Sequence, residues 1–137
     1  MPNLPTRRFG RTELPIPLLS LGGMRFQQSW TDLPASEITS DSQANLQATL
    51  QRATQLGLHH VETARHYGSS ERQLGWAFPT TPDPTRILQS KVPPREDPDA
   101  FEAELALSFE RLGCQRLDLL AIHGINLPEH LEQTLRP

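Results

Sequence analysis

The sequence is short of the residues that would tie it to several large functional classes. It has a single cysteine, Cys114, so neither an internal disulfide nor a cysteine metal cluster can form within the chain. It has no surplus of positive charge: 13 Lys and Arg against 16 Asp and Glu leave a net charge of -3, which removes any pull towards nucleic acid or an anionic membrane surface. No run approaches the ~18 apolar residues of a membrane span, and the opening Met-Pro-Asn-Leu-Pro-Thr-Arg-Arg has no apolar segment of secretory length. A dinucleotide-binding G-x-G-x-x-G turn is missing as well. These absences predict a cytoplasmic protein that handles a small molecule, with no nucleic-acid or membrane partner. A length of 137 residues suits one domain with a real core and is short for two.

What is present alternates between strand and helix patterns. Residues 6–17 read as a hairpin, turning at Gly10-Arg11-Thr12, whose second arm carries too many prolines for a central strand; it is expected to act as a lid or plug. Leu18 to Leu21 reads as the first buried strand, followed by Gly22-Gly23, and residues 27–40 as a long polar loop. A helix capped by Asp41 or Ser42 carries Leu46, Leu50, Ala53 and Leu56 at helical spacing and stops at Gly57. Leu58 to Glu62 is a strand, with His60 and Glu62 on one face. A short helix from Ser69 or Ser70, a strand from Arg86 to Lys91, and a helix opened by Asp97-Pro98 and closed by Gly113 follow. A last strand, Leu117 to Ile122, ends at His123, and Pro128 opens a fourth helix. Four such alternations over residues 18–137 imply parallel strands in an α/β fold. In such folds the carboxyl ends of the strands carry the active site. Gly22, Glu62, Lys91 and His123 all fall there.

Those residue types form a coherent chemical group. An ammonium close to a phenol makes its proton easier to give up, so Lys91 would prepare Tyr67 as a proton donor. A carboxylate such as Glu62 would keep a half-buried Lys91 charged. His123 adds a second donor. Two donors at one point suit a carbonyl becoming an alkoxide. None of the four can supply a hydride, so the site needs a cofactor.

The residues then show a resemblance. Gly10-Arg11-Thr12, Gly22-Gly23-Met24, the run from Glu62 through Thr-Ala-Arg-His to Tyr67-Gly-Ser-Ser-Glu71, Gln89-Ser-Lys91-Val and Asp118-Leu-Leu-Ala-Ile-His123 resemble the first half of an aldo-keto reductase. The Glu-Thr-Ala-Arg segment is similar to a cyanobacterial-type branch. Most of the family has aspartate where this chain has Glu62, one methylene longer. The resemblance implies a (β/α)₈ TIM-type barrel of which only about the first four β/α units, plus the hairpin, lie in residues 1–137. It implies reduction of an aldehyde or ketone with NADPH or NADH, with Tyr67 as acid, Lys91 and Glu62 poising it, and His123 orienting the carbonyl. Gly22, Gly23 and Met24 would border the nicotinamide. A barrel of this kind takes about 250 residues, so the chain is expected to be a truncated product. Its open sheet edges would invite a homodimer.

The same residues also suit other chemistries. His60, Glu62, His66 and His123 could make a divalent-metal hydrolase site, and Lys91 could form a Schiff base as in an aldolase. A non-catalytic barrel fragment or interaction module is the alternative outside enzymes. The aldo-keto reductase reading itself calls for no metal.

Overall fold

The computed structural model describes residues 4–135. Two short strands, β1 (Thr6–Arg8) and β2 (Pro15–Pro17), pair antiparallel in a hairpin that turns through Gly10 and Glu13, both with positive φ. The main sheet is parallel, in the order β3 (Leu21–Gly22), β4 (His60–Glu62), β5 (Ile87–Val92) and β6 (Leu119–Ile122). Each strand leads to a helix: α1 (Ser40–Gln55), α2 (Ser70–Ala77), α3 (Pro98–Leu112) and α4 (Pro128–Leu135). Among the described residues no helix is long and apolar enough to cross a membrane.

The helices form where the sequence supplies their ends. Asp97 accepts from the Asp99 amide with Pro98 at the first helical position, and Gly113, at φ 62°, ends α3 in a left-handed turn. For α1 the cap lies earlier than expected: Thr39, not Asp41 or Ser42, accepts from the Ser42 amide at 3.3 Å. Ser69 precedes α2 but does not cap it. Its hydroxyl donates to Gln73 and accepts from the Gln28 amide, so it anchors the preceding loop.

The first strand is shorter than the Leu18 to Leu21 the sequence predicts. Leu18 and Leu19 are exposed and only Leu21–Gly22 joins the sheet, because the Leu18 amide is committed to Pro5 O in the hairpin. The hairpin faces a cavity of about 730 Å³ lined by Pro5, Pro15, His59, Thr85 and Ile87, at the amino ends of the strands. It is therefore a plug at the end opposite the strand exits, not a lid over them.

Parallel pairing puts register partners on the same side of the sheet. Val61 aligns with Leu88, and these two pack under Leu46 and Leu50 of α1, Leu74 of α2 and Leu112 of α3 in one buried cluster. The opposite face carries His60 and Glu62 from β4 and Gln89 and Lys91 from β5, with Ala121 of β6 beside Lys91. His123 follows β6 by one residue and continues that polar face. Past the strand ends the pairing persists: Thr63 N donates to Gln89 O, Arg65 N to Lys91 O, and His123 N to Val92 O.

Candidate active site

Tyr67 is held by its backbone before its side chain does anything. Its amide closes a turn onto Ala64 O at 3.0 Å, and its carbonyl accepts from the Ser70 amide at 2.9 Å, at the start of α2. Gly68 next to it has φ +51°, and a Cβ there would overlap the Ser29 carbonyl, so only glycine lets the 27–34 loop settle against this turn.

From that position the Tyr67 ring meets both predicted partners. Lys91 Nζ lies 4.7 Å from the ring centroid, a cation–π distance. The His123 ring stands edge-on to it, with centroids 5.4 Å apart and planes at 90°. Glu62 pairs with the Lys91 ammonium, both side chains being largely buried. Thus Glu62, Tyr67, Lys91 and His123 are brought together at the carboxyl ends of β4, β5 and β6. The extra methylene of Glu62 does not prevent the ion pair.

Their protonation follows from these surroundings. Burial lowers the Lys91 pKa, while the Glu62 carboxylate against it favours the charged form. His123 is also pushed below the usual imidazole value, first by burial, then by the Lys91 charge and by His66, whose ring centroid is 6.3 Å away. A neutral His123 is the consequence at neutral pH. Its Nδ1 is buried without a hydrogen-bond partner.

His60 lies deeper on the same face. Its ring nitrogens meet Ser20 Oγ at 2.7 Å and Gln89 Oε1 at 3.1 Å, and burial lowers its pKa. With both nitrogens engaged, His60 is not free to join Glu62, His66 and His123 around a divalent ion. No cluster of three metal-ligating side chains exists among the described residues.

A pH dependence follows from these two histidines. Each holds fewer protons folded than unfolded below about pH 6.5, so stability must fall as pH drops from there through their lowered midpoints. The urea midpoint should therefore be lower at about pH 5.5 than at about pH 7.5. In Lys91→Met the His123 midpoint, followed by NMR, should rise but stay below the ordinary value, because burial is the larger cause.

The glycine pair is split. Gly22 is exposed, and among the described residues the only neighbour within 4 Å of an added Cβ is Glu62 Oε2 at 3.9 Å, so the rim is open there. Gly23 is buried, and a Cβ on it would come within 2.9 Å of Glu62 O and Ser70 Oγ. Internal packing, rather than a ligand, accounts for glycine at that position. Met24 is half-buried in the short 3₁₀ turn that follows. Trp30, in the loop that leads to α1, is largely exposed.

Asp32 is a residue that sequence reasoning missed. This loop aspartate accepts from Arg65 Nη2 at 2.6 Å and from Arg111 Nε at 3.2 Å. An acidic residue in a polar loop gives no sequence signal of such a role.

Comparison with known proteins gives the family. The aldo/keto reductase family model matches residues 18–136. The chain belongs to the aldo/keto reductase family. Solved structures agree in fold. A candidate aldo-keto reductase from Pseudomonas aeruginosa superposes with TM-score 0.71 at 26% identity, over 95% of this chain and 53% of its own. A thermostable aldo-keto reductase solved with the inhibitor epalrestat gives 0.74 and 26%, over 94% and 47%. An aldo-keto reductase from Klebsiella pneumoniae in complex with NADPH gives 0.65 and 25%, over 97% and 44%. The chain thus spans about half the length of these aldo-keto reductases, whose α/β architecture it shares. No curated protein matches it significantly.

Proposed function

We propose that Tyr67, Lys91, Glu62 and His123 form the proton-donating side of an NAD(P)H-dependent site that reduces an aldehyde or ketone to the alcohol. The observation that carries this reading is the contact of one phenol with both a carboxylate-paired ammonium and a neutral imidazole. Tyr67 gives its proton to the carbonyl oxygen as negative charge develops there. The Lys91 ammonium stabilises the phenoxide left behind, and Glu62 keeps that ammonium charged. His123, being neutral, offers a ring N–H to the same oxygen and adds no charge that would repel Lys91.

The donor set fits a reduced nicotinamide, because it holds protons but no reductant. When bound, that cofactor supplies the hydride. Gly22, at the open rim beside Glu62, and Met24 would border it, while Gly23 shapes the floor beneath. Among family structures, the Klebsiella pneumoniae protein was solved with NADPH, which makes NADPH the first cofactor to test.

Titration with NADPH tests the reading. A saturable change in nicotinamide fluorescence is expected, followed by NADPH oxidation that depends on added aldehyde. No fluorescence change up to about 1 mM, the upper end of ordinary KM values, would remove the catalytic role from this chain. That result would favour a second reading, a non-catalytic module. Its support is the exposed Leu127 just before α4, Leu131 and Leu135 on α4 and Leu120 on β6, apolar side chains suited to contact with further polypeptide.

A further inference from the structure

Behind Tyr67 and Lys91, on the helix-covered side of the sheet, runs a buried chain of polar groups that the proton chemistry does not use. Ser90, next to Lys91 in β5, is fully buried and donates to Glu71 Oε1 at 2.7 Å. Glu71, 1% exposed, receives Arg65 Nη1 on its other oxygen. Arg65 is 4% exposed and places its second Nη on Asp32, which Arg111 also contacts.

Arg65 is thereby fastened to β5 twice. Its amide donates to Lys91 O at 2.8 Å, and its side chain reaches Ser90 through Glu71. It stands two residues before Tyr67. With both terminal nitrogens taken and almost no exposure, its guanidinium cannot meet a substrate anion. Burying a carboxylate and a guanidinium is costly before they pair, and apolar groups of the same volume would often serve stability as well. What the ions add is direction. A planar guanidinium whose two terminal nitrogens are each held by a different carboxylate, Glu71 and Asp32, is fixed in angle as well as in position.

We propose that Arg65 and Glu71 are positioning residues which, by tying Ser90 of β5 to the loop of Tyr67, hold the phenol in register with the Lys91 ammonium and the His123 ring. This rests on the reading of Tyr67 and Lys91 as the reacting pair. Its geometric content can be measured without any activity. A misplacement of about 1 Å at a reacting group can cost on the order of 10²-fold in rate, so a brace of this kind bears on turnover.

The test uses the labelled 137-residue chain and NMR. Tyr67 is its only tyrosine, so the ring resonances are unambiguous. NOEs between Tyr67 and the His123 imidazole are expected in the parent. They should be lost in Arg65→Met and weakened in Ser90→Ala, while the methyl resonances of Leu46, Leu50 and Leu74 stay in place. Arg65→Lys, which keeps the charge but lacks the rigid pair of nitrogens that reach Glu71 and Asp32 together, should recover them only in part. Where the parent reduces an aldehyde, Arg65→Met should lower kcat by about 10²-fold with KM little changed. Unchanged NOEs in a folded Arg65→Met overturn the proposal. If that variant does not fold, unchanged NOEs in Ser90→Ala, which removes a single hydroxyl, overturn it instead. A parent that shows the NOEs but no NADPH response refutes the catalytic reading and leaves the brace to be judged by the NOEs alone.

Discussion

Tyr67→Phe is expected to slow aldehyde-dependent NADPH oxidation by about 10²- to 10⁴-fold, the range a positioned acid supplies. The substitution removes one oxygen and leaves the ring, so the contacts with His123 at 5.4 Å and Lys91 at 4.7 Å survive. The fold and the affinity for NADPH should therefore be unchanged, and the loss should fall on kcat rather than KM, as for an interaction made in the transition state. Lys91→Met is a less clean test of the same chemistry. It deletes the ammonium but also strands the Glu62 carboxylate, whose Oε1 is buried and has no hydrogen-bond partner to replace the ion pair. A slow rate in that variant would mix lost chemistry with a disturbed rim. Steady-state rates for Tyr67→Phe, with NADPH binding measured beside them, separate the two effects. A variant that keeps the parent rate would show that the proton comes from elsewhere.

The meeting of these side chains at one rim was legible in the sequence because strand periodicity and the position of strand ends say where a side chain points. Glu62 and Lys91 are the last inward residues of β4 and β5, and His123 continues the same alternation past β6. Parallel register then brings them to one rim with no further information. The α3 helix was equally readable, since Asp97, Pro98 and Gly113 mark its ends by local backbone chemistry. What could not be read depends on contacts between distant segments. The strand expected over Leu18–Leu21 shrank because hydrogen bonding to Pro5 draws Leu18 into the hairpin. Gly23 looked like a ligand-facing glycine and proved to be a packing glycine beneath Ser70 and Glu62, a distinction that only the neighbours make. Asp32 acquires its role from arginines 33 and 79 positions away.

Leu74→Ala carries the largest expected effect on folding, about 2–5 kcal/mol, against a total of about 5–15 kcal/mol for an ordinary domain. Leu74 is 0% exposed on α2, at the junction of α1, the sheet and α3, where Leu46, Leu50, Val61, Leu88 and Leu112 form one cluster. Its surroundings are poorly able to relax into the space. Val61 and Leu88 are fixed by strand pairing, and α2 already lies so close to α3 that a Cβ on Gly75 would overlap the Arg111 carbonyl. A residual cavity and the lost transfer energy should therefore add. Leu131→Ala is the matched control, because Leu131 on α4 is 49% exposed and should change stability by no more than about 0.5 kcal/mol. Urea unfolding of both variants reads the contrast directly. If Leu74→Ala were no more costly than Leu131→Ala, the core would not lie under α1, α2 and α3. The rim would then lose its rigid support, since Tyr67 sits in the turn that leads into the helix Leu74 secures.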